Sequence, residues 1–335
     1  QRQMCIRDSI SGDNPVTASK VAIRAGIRNA ENYVDATTLK NEADIKAAIQ
    51  KYTVFGRVIP EQKKQIIQAY KVAGRVVAMT GDGVNDVLAL KCADCSVAMA
   101  SGSDAASNAA QIVLLDSDFS KMPEVVLEGR RVVNNIQTSA SLFLVKNIFS
   151  ILTTVFTLIA ANLYPLYPTQ LSLLGAFTIG TPAFVLALQP NKELIRGDFL
   201  VNVILKALPA GLADFIMLAA ISIHGNILGM SNEQISTVAI VILLFIGLAA
   251  LVRICRPFDG IRILLCLAMA AGIVICVLNF KGIFAITTVN MIMLRMIIMY
   301  ALIAGVLFCI MCKSVGGWID YMERHSKRFR RLLKG

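Results

Sequence analysis

The sequence predicts an α/β domain built on a parallel sheet, followed by an all-α domain of six transmembrane helices. Three observations carry that prediction. Residues 1–135 have the composition of a soluble protein, whereas most of 141–313 is apolar. In the first third, short apolar runs alternate with helical patterns, as in a parallel sheet covered by helices. In the remainder, six apolar stretches each approach the roughly 20 residues that a helix needs to cross a bilayer.

The 335 residues are 56% hydrophobic with a mean hydropathy of +0.64, which is too apolar for one soluble domain. The formal net charge is +11. A basic chain fits nucleic acid, but cytoplasmic Lys and Arg on a membrane protein give the same total. The hydropathy favours the membrane. Cys92-x-x-Cys95 and Cys309-x-x-Cys312 have metal-like spacing, but the only histidines are His224 and His325. Four zinc ligands are not assembled, so packing cysteines are expected. No signal peptide is visible.

The elements follow in order. Pro15 opens a helix to about Ala25, with proline in the first turn. Thr53–Phe55 is a short strand. Pro60 opens a helix through about Val72, with Ile66, Ile67 and Tyr70 on one face. Arg75–Met79 is a strand, Val84–Lys91 a helix and Ser96–Met99 a strand. Ser103–Ala110 is a helix and Ile112–Leu115 a strand.

Three polar clusters sit at expected strand ends, where open α/β sheets bind ligands. Ile10-Ser11-Gly12-Asp13-Asn14-Pro15 places a hydroxyl and turn amides before a helix N-terminus, an anion site. Arg57-Val58-Ile59-Pro60-Glu61-Gln62-Lys63 puts a lysine in a first helical turn. That lysine opposes the helix dipole, so local stability does not explain it. Thr80-Gly81-Asp82-Gly83-Val84-Asn85-Asp86 sets two carboxylates four residues apart on a glycine-rich turn. Mg²⁺ takes one or two carboxylates and leaves its other positions to phosphate and water. Together the clusters supply the parts that hold a phosphoryl group in transfer.

These strings resemble successive motifs of the P-type ATPases, within the haloacid-dehalogenase-like superfamily. The resemblance continues through Gly102-Ser103-Asp104, Glu128-Gly129-Arg130 and Asn134-Asn135-Ile136. It implies a Rossmann-like haloacid-dehalogenase fold for 10–125, a stalk helix over 126–140 and ATP with Mg²⁺ as cofactors. It implies that Ser11 and Gly12 bond the phosphoryl oxygens, beside Asp13, and that Lys63 neutralises them. Asp82 then ligates Mg²⁺, and Asp86 joins it as a second carboxylate. Asn85 supports the turn, and Arg57 reaches the nucleotide. The family's Asp-Lys-Thr-Gly-Thr segment, which carries the phosphorylated aspartate, does not occur here. Gln1–Ser9 does not fit the apolar strand expected before Ile10 and reads as a foreign leader. The expectation is the C-terminal part of a longer pump whose N-terminal part is a missing partner.

The six spans are expected at about 141–163, 169–189, 199–223, 235–254, 261–280 and 291–312. Lys192 and Arg196 follow the second, and Arg253, Arg256 and Arg262 flank the gap after the fourth. The tail 313–335 carries Lys313, Arg324, Lys327, Arg328, Arg330, Arg331 and Lys334. This alternation places residues 1–140 and the C-terminus in the cytoplasm. With the resemblance, it implies an integral protein of a bacterial plasma membrane, with no nucleic-acid partner.

Pro182 removes the backbone bond to the Thr178 carbonyl and should open the second span. Broken helices at membrane depth offer carbonyls to a transported ion. By resemblance to the calcium-pump branch, Asn147, Ser150, Thr178 and Pro182 mark the path, although the acids of that branch are absent at 150 and 179. Asp214 and Arg295 are notable intramembrane charges. A transported cation is the first expectation, with lipid as an alternative. A membrane-tethered phosphatase or an inert fragment are the rivals.

Overall fold

The computed structural model describes residues 7–160, 164–191, 193–195 and 197–326. Residues 1–6 of the expected leader, 161–163 at the end of the first span, and Lys192, Arg196, Lys327, Arg328, Arg330, Arg331 and Lys334 lie outside these. The chain divides into two compact units between Pro123 and Glu124. The division precedes the composition shift, because the helix that opens the second unit begins with charged residues and turns apolar only after Ser139.

The first unit runs β1 (Ser9–Ile10), α1 (Pro15–Arg24), β2 (Tyr33–Asp35), α2 (Glu42–Lys51), β3 (Val54–Gly56), α3 (Pro60–Val72), β4 (Ala78–Thr80), α4 (Val87–Cys92), β5 (Cys95–Met99), α5 (Asp104–Ala109) and β6 (Ile112–Leu114). All pairings are parallel. The strands form two three-stranded sheets, ordered β1-β3-β2 and β4-β5-β6, rather than one. Helix α3 joins their cores. Adjacent helical residues point about 100° apart. Ile66 therefore packs with Phe55 and Val58, while Ile67 packs with Met79, Leu90 and Ala98.

Local chemistry sets the element ends. The Asn14 carboxamide accepts from Val16 N at 2.9 Å and Pro15 follows, so α1 is capped. Ser103 caps α5 through Ala106 N at 3.1 Å. β4 begins later than expected, because Val77 N is taken by the Asp94 carboxylate at 2.9 Å and Val76 is 90% exposed. The expected leader is corrected at its end. Ser9 pairs with Val54, and Asp8 accepts from the Tyr70 hydroxyl, so both belong to the folded unit. Burial raises the Asp8 carboxyl above its ordinary range, against the opposing pull of that hydroxyl bond and Arg75.

The second unit comprises α6 (Met122–Ile159), α7 (Pro168–Gly175), α8 (Thr181–Ala187), α9 (Phe199–Ile227), α10 (Asn232–Ile254), α11 (Gly260–Asn279) and α12 (Met291–His325). α7 and α8 are joined by a π-helical turn at Ala176–Gly180 and make one span. Six helical segments are thus long and apolar enough to cross a membrane among the described residues. α6 runs unbroken from the expected stalk into the first span. α10 is apolar all round and therefore central, with Val238, Ala239, Ile240, Ile242 and Leu243 fully buried. α9 and α12 pack on it. α11 leaves Leu264, Leu267 and Leu278 outward, a face suited to lipid.

Small residues let these helices approach. A Cβ on Gly211 of α9 would lie 2.8 Å from the Ile148 side chain of α6. The Asn135 carboxamide donates to the Ala187 and Gln189 carbonyls at 2.9 Å each, satisfying orphan groups at the end of α8.

Candidate functional site

In the first unit the expected phosphate and metal groups lie at the C-terminal ends of β1, β3 and β4. Beyond β1, Ser11 Oγ accepts from Asp13 N at 3.1 Å and donates to Asp13 Oδ2 at 3.2 Å. The backbone ties this turn to the end of β3. Ser11 N donates to Phe55 O at 2.9 Å, Val58 N to Ser11 O at 3.0 Å and Arg57 N to Asp13 O at 2.7 Å. Gly56 permits the approach, since a Cβ there would sit 2.3 Å from Pro15 Cα. Gly12 and Asp13 are exposed and Ser11 is half-buried.

Arg57 adopts a positive φ of 54°. Its Nη1 lies 2.9 Å from Asp35 Oδ2. The Asp35 carboxyl is held below its ordinary range, first by the Thr37 hydroxyl and amide and then by Arg57. Arg57 is thus committed to Asp35, a partner that no motif announced.

Lys63 sits in the first turn of α3 and is buried. Its Nζ meets Asp86 Oδ1 at 2.7 Å, with each side chain 11% exposed. Asp86 Oδ2 also accepts from Gly83 N at 3.3 Å. This ion pair explains a lysine that opposes the helix dipole: its charge is answered by a carboxylate on another element. It also occupies the Asp86 carboxylate expected on Mg²⁺.

Asp82 is exposed, and its carboxylate has no hydrogen bond or ion pair among the described residues. Its backbone is fixed. Ser103 N donates to Asp82 O at 2.7 Å, and a Cβ on Gly102 would lie 2.5 Å from that oxygen. A Cβ on Gly81 would strike the Asp86 side chain at 2.6 Å. Gly81 therefore serves close approach rather than unusual φ. Asn85 is exposed on the same turn. Among the described residues no cluster of three or more His, Cys, Asp and Glu could hold a metal. One free carboxylate on a fixed turn still suits Mg²⁺, which draws its other ligands from phosphate and water. Lys63 and Asp86 are brought together. No hydrogen bond or ion pair among the described residues joins the Ser11–Asp13 turn to the turn at 80–86.

The expected transport residues lie in the second unit. Pro182 is buried in α8, and the turn before it is π-helical. Such turns widen the helix and frequently occur at functional sites. Thr178 is 4% exposed, and its Oγ1 donates to Leu174 O at 2.7 Å. A Cβ on Gly247 of α10 would be 2.7 Å from its methyl carbon. Asn147 is exposed on α6 and Ser150 is half-buried.

Sequence reasoning passed over Lys146. Its Nζ lies 3.9 Å from where a Cβ of Gly175 would stand, directly before the π turn. The signal was present as a lone lysine between Val145 and Asn147 in an apolar span. Asp214 is 2% exposed, and its Oδ1 has no partner among the described residues. Arg295 is exposed on α12.

Residues 9–94 match the family described as haloacid dehalogenase-like hydrolase. The chain is 42% identical over 271 residues to a probable cation-transporting ATPase, exp7, of Streptococcus pneumoniae, covering 78% of this chain and 35% of that protein. It is 42% identical over 281 residues to the calcium-transporting ATPase CtpE of Mycobacterium bovis, covering 79% and 35%. A calcium-transporting ATPase of Bacillus subtilis is 34% identical over 192 residues, covering 56% and 22%. The chain spans about a third of the length of the first two relatives. With a haloacid-dehalogenase-like unit, the Gly81–Asp86 turn and six candidate spans in one chain, this protein is similar to the corresponding third of P-type cation-transporting ATPases.

Proposed function

We propose that this chain forms part of an ATP-driven calcium or related cation transporter that cycles through an aspartyl-phosphate. The observation that carries the reading is the fixed turn at 80–86, with Asp82 free and Asp86 locked to Lys63. Asp82 would hold Mg²⁺, which when bound supplies charge neutralisation at the phosphoryl group. Ser11 and the amides of its turn would accept the phosphoryl oxygens. Lys63, held by Asp86, would fix the metal-bearing turn and offer its remaining N–H donors to a phosphoryl oxygen. Arg57 and Asp35 would face the nucleotide. The nucleophilic aspartate would come from the part of the whole protein that lies outside this sequence.

The cation would pass the π turn, where displaced carbonyls, Thr178 and Asn147 offer neutral oxygens. The relatives support calcium. Arg253, Arg256 and Arg262 on one side of the membrane support a cytoplasmic first unit.

As it stands the chain is expected to form no acid-stable phosphoenzyme from ³²P-labelled ATP, because the Asp-Lys-Thr-Gly-Thr segment whose aspartate would accept the phosphoryl group does not occur in it. Labelling of the purified chain would overturn that. In the whole transporter, ATPase activity is expected to rise with one of Ca²⁺, Mg²⁺, Mn²⁺ or K⁺. Stimulation by phospholipid alone would sink the cation reading.

Lys146→Ala is expected to raise the apparent affinity for a divalent cation at least about ten-fold. The lysine places a fixed positive charge beside the ion path, and like charges a few Å apart repel by several kcal/mol at an effective dielectric near 20. An unchanged ion dependence of ATPase activity would place the path elsewhere.

A further inference from the structure

We propose that the membrane unit holds the phosphate of an anionic lipid in a cavity at one end of its helix bundle. The cavity measures about 340 Å³, within the roughly 300–1,000 Å³ usual for ligand sites. Lys206 of α9, Arg253 at the end of α10, Arg256 just beyond it and Arg262 in the first turn of α11 line it, against the carboxylate of Glu193 alone among the described residues. Arg262 is already committed. Its Nε donates to Gln189 Oε1 at 2.8 Å and lies 3.5 Å from Asp259, and its Nη1 donates to Pro257 O at 3.0 Å.

Lys206, Arg253 and Arg256 form no ion pair among the described residues. Arg256 lies only over the Phe258 ring, at 5.9 Å. Three cations that form no ion pair around one cavity, with only Glu193 near Lys206 to offset them, repel each other. They lower their mutual repulsion by sharing an anion with several acceptor oxygens, which is what a phosphate offers.

The remaining walls decide between a lipid and free phosphate. Val145, Leu186, Ala250 and Phe308 present apolar surface to the same cavity. A phosphate ion uses only the cationic side. A phosphodiester that carries glycerol and acyl chains uses both. The four cations come from consecutive spans or the link between them, and basic pockets between membrane helices on the cytoplasmic side bind anionic headgroups. The buried Asn134 and Asn135 amides are spent on backbone carbonyls, so the cationic side chains carry the recognition.

The test uses the 335-residue chain in neutral detergent, titrated with short-chain phosphatidylglycerol, short-chain phosphatidylcholine or inorganic phosphate. Bound ligand is counted by native mass spectrometry. Phosphatidylglycerol is expected to bind at least ten-fold tighter than phosphatidylcholine. Arg253→Gln and Arg256→Gln are each expected to weaken it by about five-fold, the effect of one cation at an anionic surface. Both side chains are exposed, so the fold should tolerate each change, and thermal melts followed by circular dichroism check that it does. Lys313→Gln, exposed on α12 and not among the residues that line the cavity, is expected to change nothing. Equal binding of the two lipids, or equal weakening by Lys313→Gln, would overturn the site. Inorganic phosphate that binds as tightly as phosphatidylglycerol would overturn the lipid and make free phosphate the ligand.

Discussion

Asp82→Asn in the whole transporter is expected to lower phosphoenzyme formation from ATP by about 10²–10³-fold, the usual loss when one preorganised charge-stabilising group is removed from a reacting centre. Asp82 is held in place through its backbone. Its backbone oxygen accepts from Ser103 N at 2.7 Å, and Gly102 leaves room for that contact. The carboxylate itself is exposed and unpartnered among the described residues, so asparagine should fit without loss of fold. The change removes one negative charge and keeps the shape. The defect should therefore fall on the metal: labelling should recover in part as Mg²⁺ is raised, while expression and melting stay at wild type. Acid-quenched ³²P labelling across an Mg²⁺ series measures this. Wild-type labelling at low Mg²⁺ would show that Asp82 holds no metal.

Breaking the Lys63–Asp86 pair is the second large effect. Lys63→Ala or Asp86→Ala each leaves one buried charge without its partner, a change that typically costs about 3–5 kcal/mol. Asp86→Ala also deprives Gly83 N of its acceptor. Replacing both partners, as in Lys63→Met with Asp86→Leu, should restore most of the stability, because a buried ion pair and an apolar pair of similar volume are often nearly equal in energy. Hydrogen exchange of the α3 and α4 amides in the 335-residue chain reads the local loss. Single variants that exchange like wild type would show that the pair does not hold the turn. The double variant separates the two roles: it should keep its exchange protection, yet the corresponding whole transporter should phosphorylate poorly, since the cation is gone.

Much of this protein was legible before its structure. The Thr80–Asp86 string announced a glycine-rich turn at a strand end, and the turn follows β4. α3 was read at Pro60–Val72, its observed bounds, since proline sets the first turn and Ile66, Ile67 and Tyr70 give the helical period. Less visible were β2, whose three residues barely alternate, and α2, where only Ile45, Ala48 and Ile49 mark the buried face among charged residues.

Amino-acid order by itself determined the fold class, the six apolar spans and the helix break at Pro182, because these depend on composition and on neighbours within a turn or two. Only the tertiary structure decided which charge meets which. It gave Lys63 to Asp86 across 23 positions, committed Arg57 to Asp35, and divided the strands into two sheets. It set Lys146 beside Gly175 and gathered Lys206, Arg253 and Arg256 around one cavity. Those pairings follow from how separate helices and strands pack. An ion pair or a shared cavity depends on distance in space, and distance along the chain does not report it.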